Sequence, residues 1–329
     1  METFKSFEQS LININDTNFE DIALRLFHFQ VKNNPVYRQF LQHLKCKWEN
    51  VSTLQQIRFL PISFFKTHLI KTSQWETSAE FSSSGTTGSI SSKHPVHDLN
   101  FYRTHSKRIF NHFFGDLESF HILALLPSYL EREGSSLIEM MNYFINQSKS
   151  VHSGFYLHNH KELADKLIGL KTDGRKVILW GVSFALLDLA EQYDLDLSHC
   201  IIIETGGMKG RRREWIREEL HEYLCRRFNV KVIHSEYGMT ELMSQAYSFG
   251  GGVYQCPSSM RVMIRNINDP FEWLYPGKTG GINVVDLANF HSCAFIETQD
   301  IGVAMESGYF EVLGRMDNSD IRGCNLLVG

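Results

Sequence analysis

The sequence contains no C-x-x-C pair. Its six cysteines (Cys46, Cys200, Cys225, Cys256, Cys293 and Cys324) are scattered along 329 residues, which argues against a disulfide framework or a zinc site and for a reducing cytoplasm. Neither sign of charge dominates. Lys and Arg number 33 against 37 Asp and Glu, a formal net charge of −4, so no basic surplus points to nucleic acid. No uncharged apolar run approaches the ~20 residues that span a bilayer. The opening METFKSFEQSLININDTNFED lacks the basic start and apolar run of a secretory signal. What remains is ordinary globular composition, 43% hydrophobic and 21% charged, in a chain long enough for a large core and one or two domains.

Residues 18–45 read as helix, with apolar residues at Phe19, Ile22, Leu26 and Phe29 and a break at Asn34-Pro35. Farther on the pattern becomes regular. ILALLP (122–127), KVILWG (176–181), CIIIETGG (200–207) and VKVIHSEYG (230–238) are short apolar runs of the kind buried on both faces. Between them lie the helix candidates GSSLIEMMNYFINQ, with Ser135 or Ser136 as N-cap, SFALLDLAEQY, and the amphipathic RRREWIREELHEYLCRRF (211–228). Strands alternating with helices predict parallel crossovers in a doubly wound α/β sheet, whose ligands sit at the carboxyl ends of the strands. From about residue 277, GKTGGINVVDL, CAFIETQDIGVAM and GYFEVLGR read as three strands with no helix between them, a small β subdomain.

SSSGTTGSISSK (82–93) is the one low-complexity stretch. Gly85 and Gly88 let backbone N–H groups converge without Cβ hindrance, and the hydroxyls add donors. Composition alone leaves two readings open, a slack linker or an anion cradle. The P-loop pattern G-x-x-x-x-G-K-[ST] fails, because Ser92 precedes Lys93. The run Ser83-Ser84-Gly85-Thr86-Thr87-Gly88 instead resembles the phosphate loop of the adenylate-forming enzymes. Lys93 stands slightly farther along than the lysine of most members, and no proline precedes it.

Further segments follow in that family's order. EYGMTE (236–241) resembles its Y-G-x-T-E segment and TGGMKG (205–210) its adenine-contacting turn. TQDIG (298–302) resembles T-G-D, with Gln299 in place of glycine. GRMDNSDIRG (314–323), with Arg315 and Asp317, resembles the hinge. The resemblance implies ATP and Mg²⁺ as cofactors. Ser83, Ser84, Gly85, Thr86, Thr87 and Gly88 would cradle phosphates, with Lys93 as a further contact. Gly206, Gly207, Glu236, Tyr237 and Gly238 would surround the base, Tyr237 stacking on adenine. Thr240 would bond the α-phosphate, Glu241 would hold Mg²⁺, Asp300 would bond the ribose and Arg315 would complete the nucleotide site. The implied architecture is an α/β adenylate-forming core of parallel sheet flanked by helices over residues 1–276, and a small β subdomain with a truncated hinge over 277–329.

The wider family continues past the hinge into a C-terminal lid, and this sequence stops six residues after Gly323; either it is a piece cut from a longer chain or it represents a branch without that lid. LuxE-like acyl-protein synthetases fit that form. NNPVYRQFL, LPISFFKTHLI, LPSYLEREGSSLIEMM and TGGMKGRRRE all resemble them. The resemblance implies activation of a fatty or other carboxylic acid as acyl-AMP. Transfer to the chain's own cysteine follows, and then to an acceptor such as a reductase or carrier protein. Cys324 is the thiol in question: beside Arg322 its thiolate is favoured, and the alternative is a small buried hydrophobe. A CoA ligase with a separate lid or carrier protein, and a non-catalytic nucleotide-binding module, are the competing readings. Trp180, Val182, Phe184, Met239 and Met243 are candidate walls of an acyl tunnel, or plain core. His234 lines the carboxylate site or simply ends a strand.

Overall fold

The computed structural model describes residues 2–83, 90–127, 134–206 and 215–316. The chain divides into two compact units. One comprises Met1–Phe64, Ile70–Ser73 and Ser258–Gly329, the other Phe65–Leu69 and Gln74–Pro257.

The first unit opens with helices. Phe4–Ser10 starts at a reciprocal capping box between Thr3 and Ser6. Phe19–Asn33 and Pro35–His43 follow, and Asn34 separates them. Asn34 is extended, as the residue before a proline prefers, and its side chain accepts from Tyr37 N while Pro35 fills the first turn. The break seen in the sequence is therefore a helix stop and a helix start in one residue. Ile22, Ala23, Leu26 and Phe27 form the buried stripe of the longer helix. The short strand β1 (Leu60–Pro61) ends this part.

The second unit begins with an antiparallel hairpin, β2 (Ala79–Ser82) and β3 (Lys93–Val96). Its main sheet contains β4 (Phe120–Leu125), β5 (Gly154–Tyr156), β6 (Lys176–Val182), β7 (Cys200–Thr205), β8 (His234–Tyr237), β9 (Ala246–Ser248) and β10 (Val253–Gln255). The order is β5-β4-β6-β7-β8-β9-β10. The first five strands are mutually parallel, and β9 and β10 add on antiparallel. Helices Ser136–Gln147, Ser183–Gln192 and Arg217–Phe228 make the crossovers the sequence predicts. Every residue of β4 is buried, because parallel strands are covered on both faces. β8 starts later than its apolar run: Asn229 ends the preceding helix in the left-handed region, and Val230 N bonds back to Cys225 O. Residues 230–233 are thus spent leaving the helix.

Register fixes which side chains share a face. Val182 pairs with Thr205, Thr205 with Glu236 and Glu236 with Tyr247, so these four form one row across β6 to β9. Helix Leu99–Phe114 covers that face, with Phe110 against Trp180 at 6.3 Å and Phe113 against Tyr247 at 5.4 Å. Glu204 and Ser235 point to the opposite face, where helix Arg217–Phe228 packs.

The chain then returns to the first unit with β11 (Met260–Arg265), β12 (Thr279–Asp286), β13 (Phe295–Ala304) and β14 (Tyr309–Arg315), an antiparallel meander in that order. β1 joins β13 in parallel. Arg265 is 4% exposed. Its guanidinium donates to the carbonyls of Ile282 and Thr298 and to Asn283 Oδ1 at 2.8–2.9 Å. Gly281 makes room for it, since a Cβ there would lie 2.5 Å from Arg265 Cζ.

Candidate nucleotide and acid site

Two stretches of the second unit meet through a histidine. Residues 83–92 connect β2 to β3. Ser83 N donates to Ser92 O at 3.1 Å and Ser92 N donates to Ser83 Oγ at 2.8 Å, closing the base of the loop. Ser84, Gly85, Thr86, Thr87 and Gly88 lie outside the described residues. Lys93 Nζ sits 3.2 Å from Glu80 Oε1 across the hairpin, with both side chains exposed. His94 comes next and is buried, edge-on to the Phe65 and Phe81 rings. Its Nδ1 lies 2.8 Å from the carbonyl oxygen of Thr240. A carbonyl only accepts, so Nδ1 carries the proton. The strand leaving the serine-rich loop is therefore bonded to the turn that carries Thr240.

That turn follows β8. Leu242 N donates to Met239 O, which places Thr240 and Glu241 at its centre. Glu241 is buried, while Gly238 is exposed and Met239 and Thr240 are half-buried. Tyr237 meets the Tyr254 ring edge-to-face at 5.9 Å. Glu236 is buried beneath the turn, and its Oε2 accepts from Thr205 Oγ1. A Cβ at position 238 would stand 2.3 Å from Glu236 Oε1 and 3.5 Å from Gln245 Cγ, so any larger residue there must displace this carboxyl. Burial pushes the Glu236 carboxyl up to about 7 and neighbouring Glu204 adds to the rise, although the Thr205 bond opposes both.

The other side of the β7 end is differently charged. Burial alone would raise Glu204, but His221, Arg217 and Ser183 outweigh it and hold the carboxyl below its ordinary value. Arg217 Nε and His221 Nε2 lie 3.8 and 3.5 Å from Glu204 Oε1. These are ion-pair distances, and His221 Nε2 is too poorly placed for a good hydrogen bond. Ser183 Oγ lies 2.8 Å from both Glu204 Oε2 and the Gly206 carbonyl, tying the start of a helix to the residue after β7. Gly206 has φ +70°; Gly207 lies outside the described residues.

The tunnel candidates are placed variously. Trp180 is fully buried among Phe110, Phe144 and Tyr247, and its Nε1 has no partner among the described residues. Val182, Phe184 and Met243 are also buried, and Met239 is half-buried. His234 is half-buried between the Phe114 and Phe249 rings, and burial lowers its pKa. Asp300 and Arg315 belong to the first unit, where they are partners in the β13–β14 register with Arg315 Nε 3.9 Å from Asp300 Oδ1. Cys324 and Asp317 lie outside the described residues. The sequence did not single out Glu204, Ser183 or His94. The only signal was position, His94 directly after the loop and Ser183 directly after an apolar strand.

Among the described residues no three His, Cys, Asp or Glu side chains cluster to hold a metal. One hard carboxylate at Glu241 suits Mg²⁺, which keeps several waters and binds through nucleotide phosphates rather than a protein cage. Nor is any described helix long and apolar enough to cross a membrane.

No protein-family model matches the sequence, and no curated protein matches it. Solved structures do. ATP-bound MatB from Rhodopseudomonas palustris is 17% identical over 73% of this chain and 48% of its own, with a TM-score of 0.55. 2-Hydroxyisobutyryl-CoA ligase in the postadenylation state with 2-HIB-AMP is 11% identical over 92% of this chain and 68% of its own, at 0.70. The fold is that of the adenylate-forming CoA ligases. The same ligase in an open conformation with 2-HIB-AMP and CoA is 9% identical over 92% and 70%, at 0.68. This chain spans about half the length of the MatB structure, 48%.

Proposed function

We propose that this protein uses ATP to activate a carboxylic acid as acyl-AMP and then passes the acyl group to a thiol. The supporting observation is the bond between His94 and Thr240, which joins the hairpin bearing SSSGTTG to the turn bearing EYGMTE. His94, on the strand that follows the serine-rich loop, and Thr240 are 146 residues apart in the sequence and bonded within the same unit.

In this reading a carboxylate oxygen attacks the α-phosphorus of ATP, the bond to pyrophosphate breaks and pyrophosphate leaves. The nucleophile is already ionised at neutral pH, so no side-chain base is needed. Two anions approach, and neutralising charge is the main demand. The amides and hydroxyls of 83–88 grip phosphates, Thr240 bonds the α-phosphate, and Tyr237 with Gly206 and Gly207 flanks the base. Glu241 with the nucleotide phosphates would hold Mg²⁺, which supplies positive charge. Lys93 reaches a phosphate only by leaving Glu80.

A thiolate then attacks the acyl carbonyl, the carbon–oxygen bond to AMP breaks, and AMP departs with the electron pair; the thiol proton goes to solvent. Cys324 is the thiol of the acyl-protein reading, in which the acid is fatty and the enzyme cytoplasmic. Coenzyme A is the second reading, favoured because a structural neighbour is bound to it. The test is pyrophosphate release over a panel of acids, with intact-mass detection of the acylated chain. Covalent acyl mass lost in Cys324→Ser supports the first thiol, and acyl-CoA formed only with added coenzyme A supports the second. No pyrophosphate with any acid sinks the proposal.

A further inference from the structure

The first unit holds a cavity of about 490 Å³ that the proposed reaction does not use. It lies between the end of helix Pro35–His43, the segment leading to β1 and the connection from β11 to β12. Lys45, Cys46, Lys47, Val51, Arg58 and Phe271 are among its walls. Two bonds hold those walls in place: Tyr37 Oη donates to the Arg58 carbonyl and Trp273 Nε1 to the Gln55 carbonyl, each at 2.6 Å. The Arg58 guanidinium lies over the Phe271 ring, 4.4 Å from its centroid. Among the described residues, no carboxylate stands within ion-pair distance of Lys45, Lys47 or Arg58, and none of these three side chains donates a hydrogen bond. Burial raises the Cys46 thiol, Arg58 opposes that and Glu49 adds to it, which puts the thiol within reach of the Arg58 charge. Lys45 closes its helix at φ +52°, with its own N–H on Gln42 O and the Cys46 N–H on Leu41 O. Glycine or asparagine is usual at such a helix end, so a cation stands beside the cavity against the backbone preference.

We infer that this cavity binds a small molecule bearing a phosphate group with two or more negative charges. Three cations without a counter-charge repel one another, and one polyanion relieves all three. Arg58, held over Phe271, offers a planar fork to two phosphate oxygens, and Lys45 and Lys47 add point charges. A monocarboxylate carries one charge and leaves two cations uncompensated. Val51 and Phe271 give the body of the ligand an apolar wall, and the volume is that of a small-molecule site. The site stands apart from adenylation, since none of these walls is assigned to the nucleotide, the acid or the thiol.

Cys46 reports on the cavity from within. Its alkylation by iodoacetamide, followed by peptide mapping, is timed with pyrophosphate, phenyl phosphate, benzoate or phenol present. Saturating pyrophosphate or phenyl phosphate should slow the reaction at Cys46 about tenfold by closing access to the thiol. Benzoate should need a concentration about tenfold higher or more for the same effect, and phenol should have none. Whichever phosphate acts at the lower concentration tells whether charge or the apolar wall dominates. Cys225, half-buried like Cys46, is the control and should keep its rate. Lys45→Gly removes a charge and suits the left-handed backbone, so it should melt no lower than the wild type while half-protection needs about tenfold more phosphate. Arg58→Gln should weaken protection as much or more. Should Cys46 resist alkylation, calorimetric titration of phenyl phosphate into the wild type and Lys45→Gly makes the same comparison. No protection by either phosphate, equal protection by benzoate, equal slowing at Cys225, or affinities unchanged in the variants overturns the inference. None of these results bears on pyrophosphate release with acids, so adenylation stands or falls separately.

Discussion

His94 Nδ1 donates to the Thr240 carbonyl at 2.8 Å from a position 1% exposed. A buried imidazole on the strand that leaves the serine-rich loop thus fixes the height of the turn proposed to hold phosphate and metal. His94→Phe keeps the aromatic contacts with Phe65 and Phe81 but leaves the carbonyl unpaired, a loss of about 1–3 kcal/mol. Affinity for Mg·ATP, read by titration calorimetry, should fall about tenfold or more, by the usual 1.4 kcal/mol per decade. His94→Asn offers an amide near the Nδ1 position and should recover most of it. KM for the acid should move less than the nucleotide affinity. Equal Mg·ATP affinity in all three proteins would show that the bond only supports the fold.

Gly238 and Glu236 compete for one space. Gly238→Ala puts a methyl 2.3 Å from Glu236 Oε1, and the carboxyl must move or the turn must lift. The expected loss is about 1–3 kcal/mol of stability, with at least tenfold lower adenylation. Shortening Glu236 should relieve the clash. In a double-mutant cycle of Gly238→Ala with Glu236→Ala, the stability losses should fall short of additive by about 0.5–3 kcal/mol. Strict additivity would mean that the two positions do not meet.

The sequence showed the core strands plainly and the site only through likeness. ILALLP, KVILWG and CIIIET read as strands because both faces of β4, β6 and β7 are covered and no polar residue need interrupt them. Helix Leu99–Phe114 was not legible. Its buried stripe runs Phe101, Tyr102, His105, Ser106, Ile109 and Phe110, and a histidine and a serine in core positions blur the apolar period. β5, β9 and β10 have three residues each, too few for any period. Glu204 was hidden for another reason. Burying its charge depends on Arg217 and His221, which folding alone brings near, and no local pattern records such a pairing.

Glu236 should make the protein less stable as neutrality is approached. Burial raises this carboxyl from 4.5 to about 7, with Thr205 opposing and Glu204 adding to the rise; Tyr102 on the covering helix, Tyr247 on β9 and Tyr254 on β10 are the other titratable neighbours. The folded state therefore holds a proton that the unfolded chain has released. The stabilisation is complete below 4.5 and is lost as pH rises to about 7, a total on the order of 3 kcal/mol. In urea melts taken from pH 4 to 8, Glu236→Gln should gain stability relative to the wild type progressively between about 4.5 and 7. A difference between the two proteins that does not change with pH assigns the titration to another group.

His105 works in the opposite sense. Arg108 Nη2 donates to its Nδ1 at 2.9 Å and its Nε2 lies 2.9 Å from Ser244 Oγ. Nδ1 accepts, so Nε2 carries the proton and the ring is neutral. Burial first, and then the Arg108 charge, lower its pKa from 6.5 to about 3. Stability present above 6.5 is lost as pH falls toward 3. Between 4.5 and 6.5 the His105 and Glu236 slopes cancel, so the wild-type curve should be nearly flat there. His105→Gln should tilt it downward with rising pH and Glu236→Gln upward. The same tilt in both variants would be incompatible with this assignment.

Arg265 is the polar keystone of the first unit. Its three hydrogen bonds reach β12 and β13, and Glu297 Oε1 lies 3.7 Å from Nη2. Burial lowers the guanidinium pKa while Glu297 and Asp300 oppose that, so the charge is retained by its partners. Arg265→Met leaves the Ile282 and Thr298 carbonyls, Asn283 Oδ1 and the half-buried Glu297 without it, an expected loss of about 3–5 kcal/mol. Arg265→Lys keeps the charge but cannot span three acceptors at fixed angles, and should lose nearly as much. Gly281→Ala should destabilise the wild-type protein, because the guanidinium it meets is pinned and cannot swing away. In an Arg265→Met background that penalty should shrink. Chemical denaturation of the four proteins decides the matter: if Arg265→Met loses less than about 1 kcal/mol, the buried charge is not what fixes this sheet.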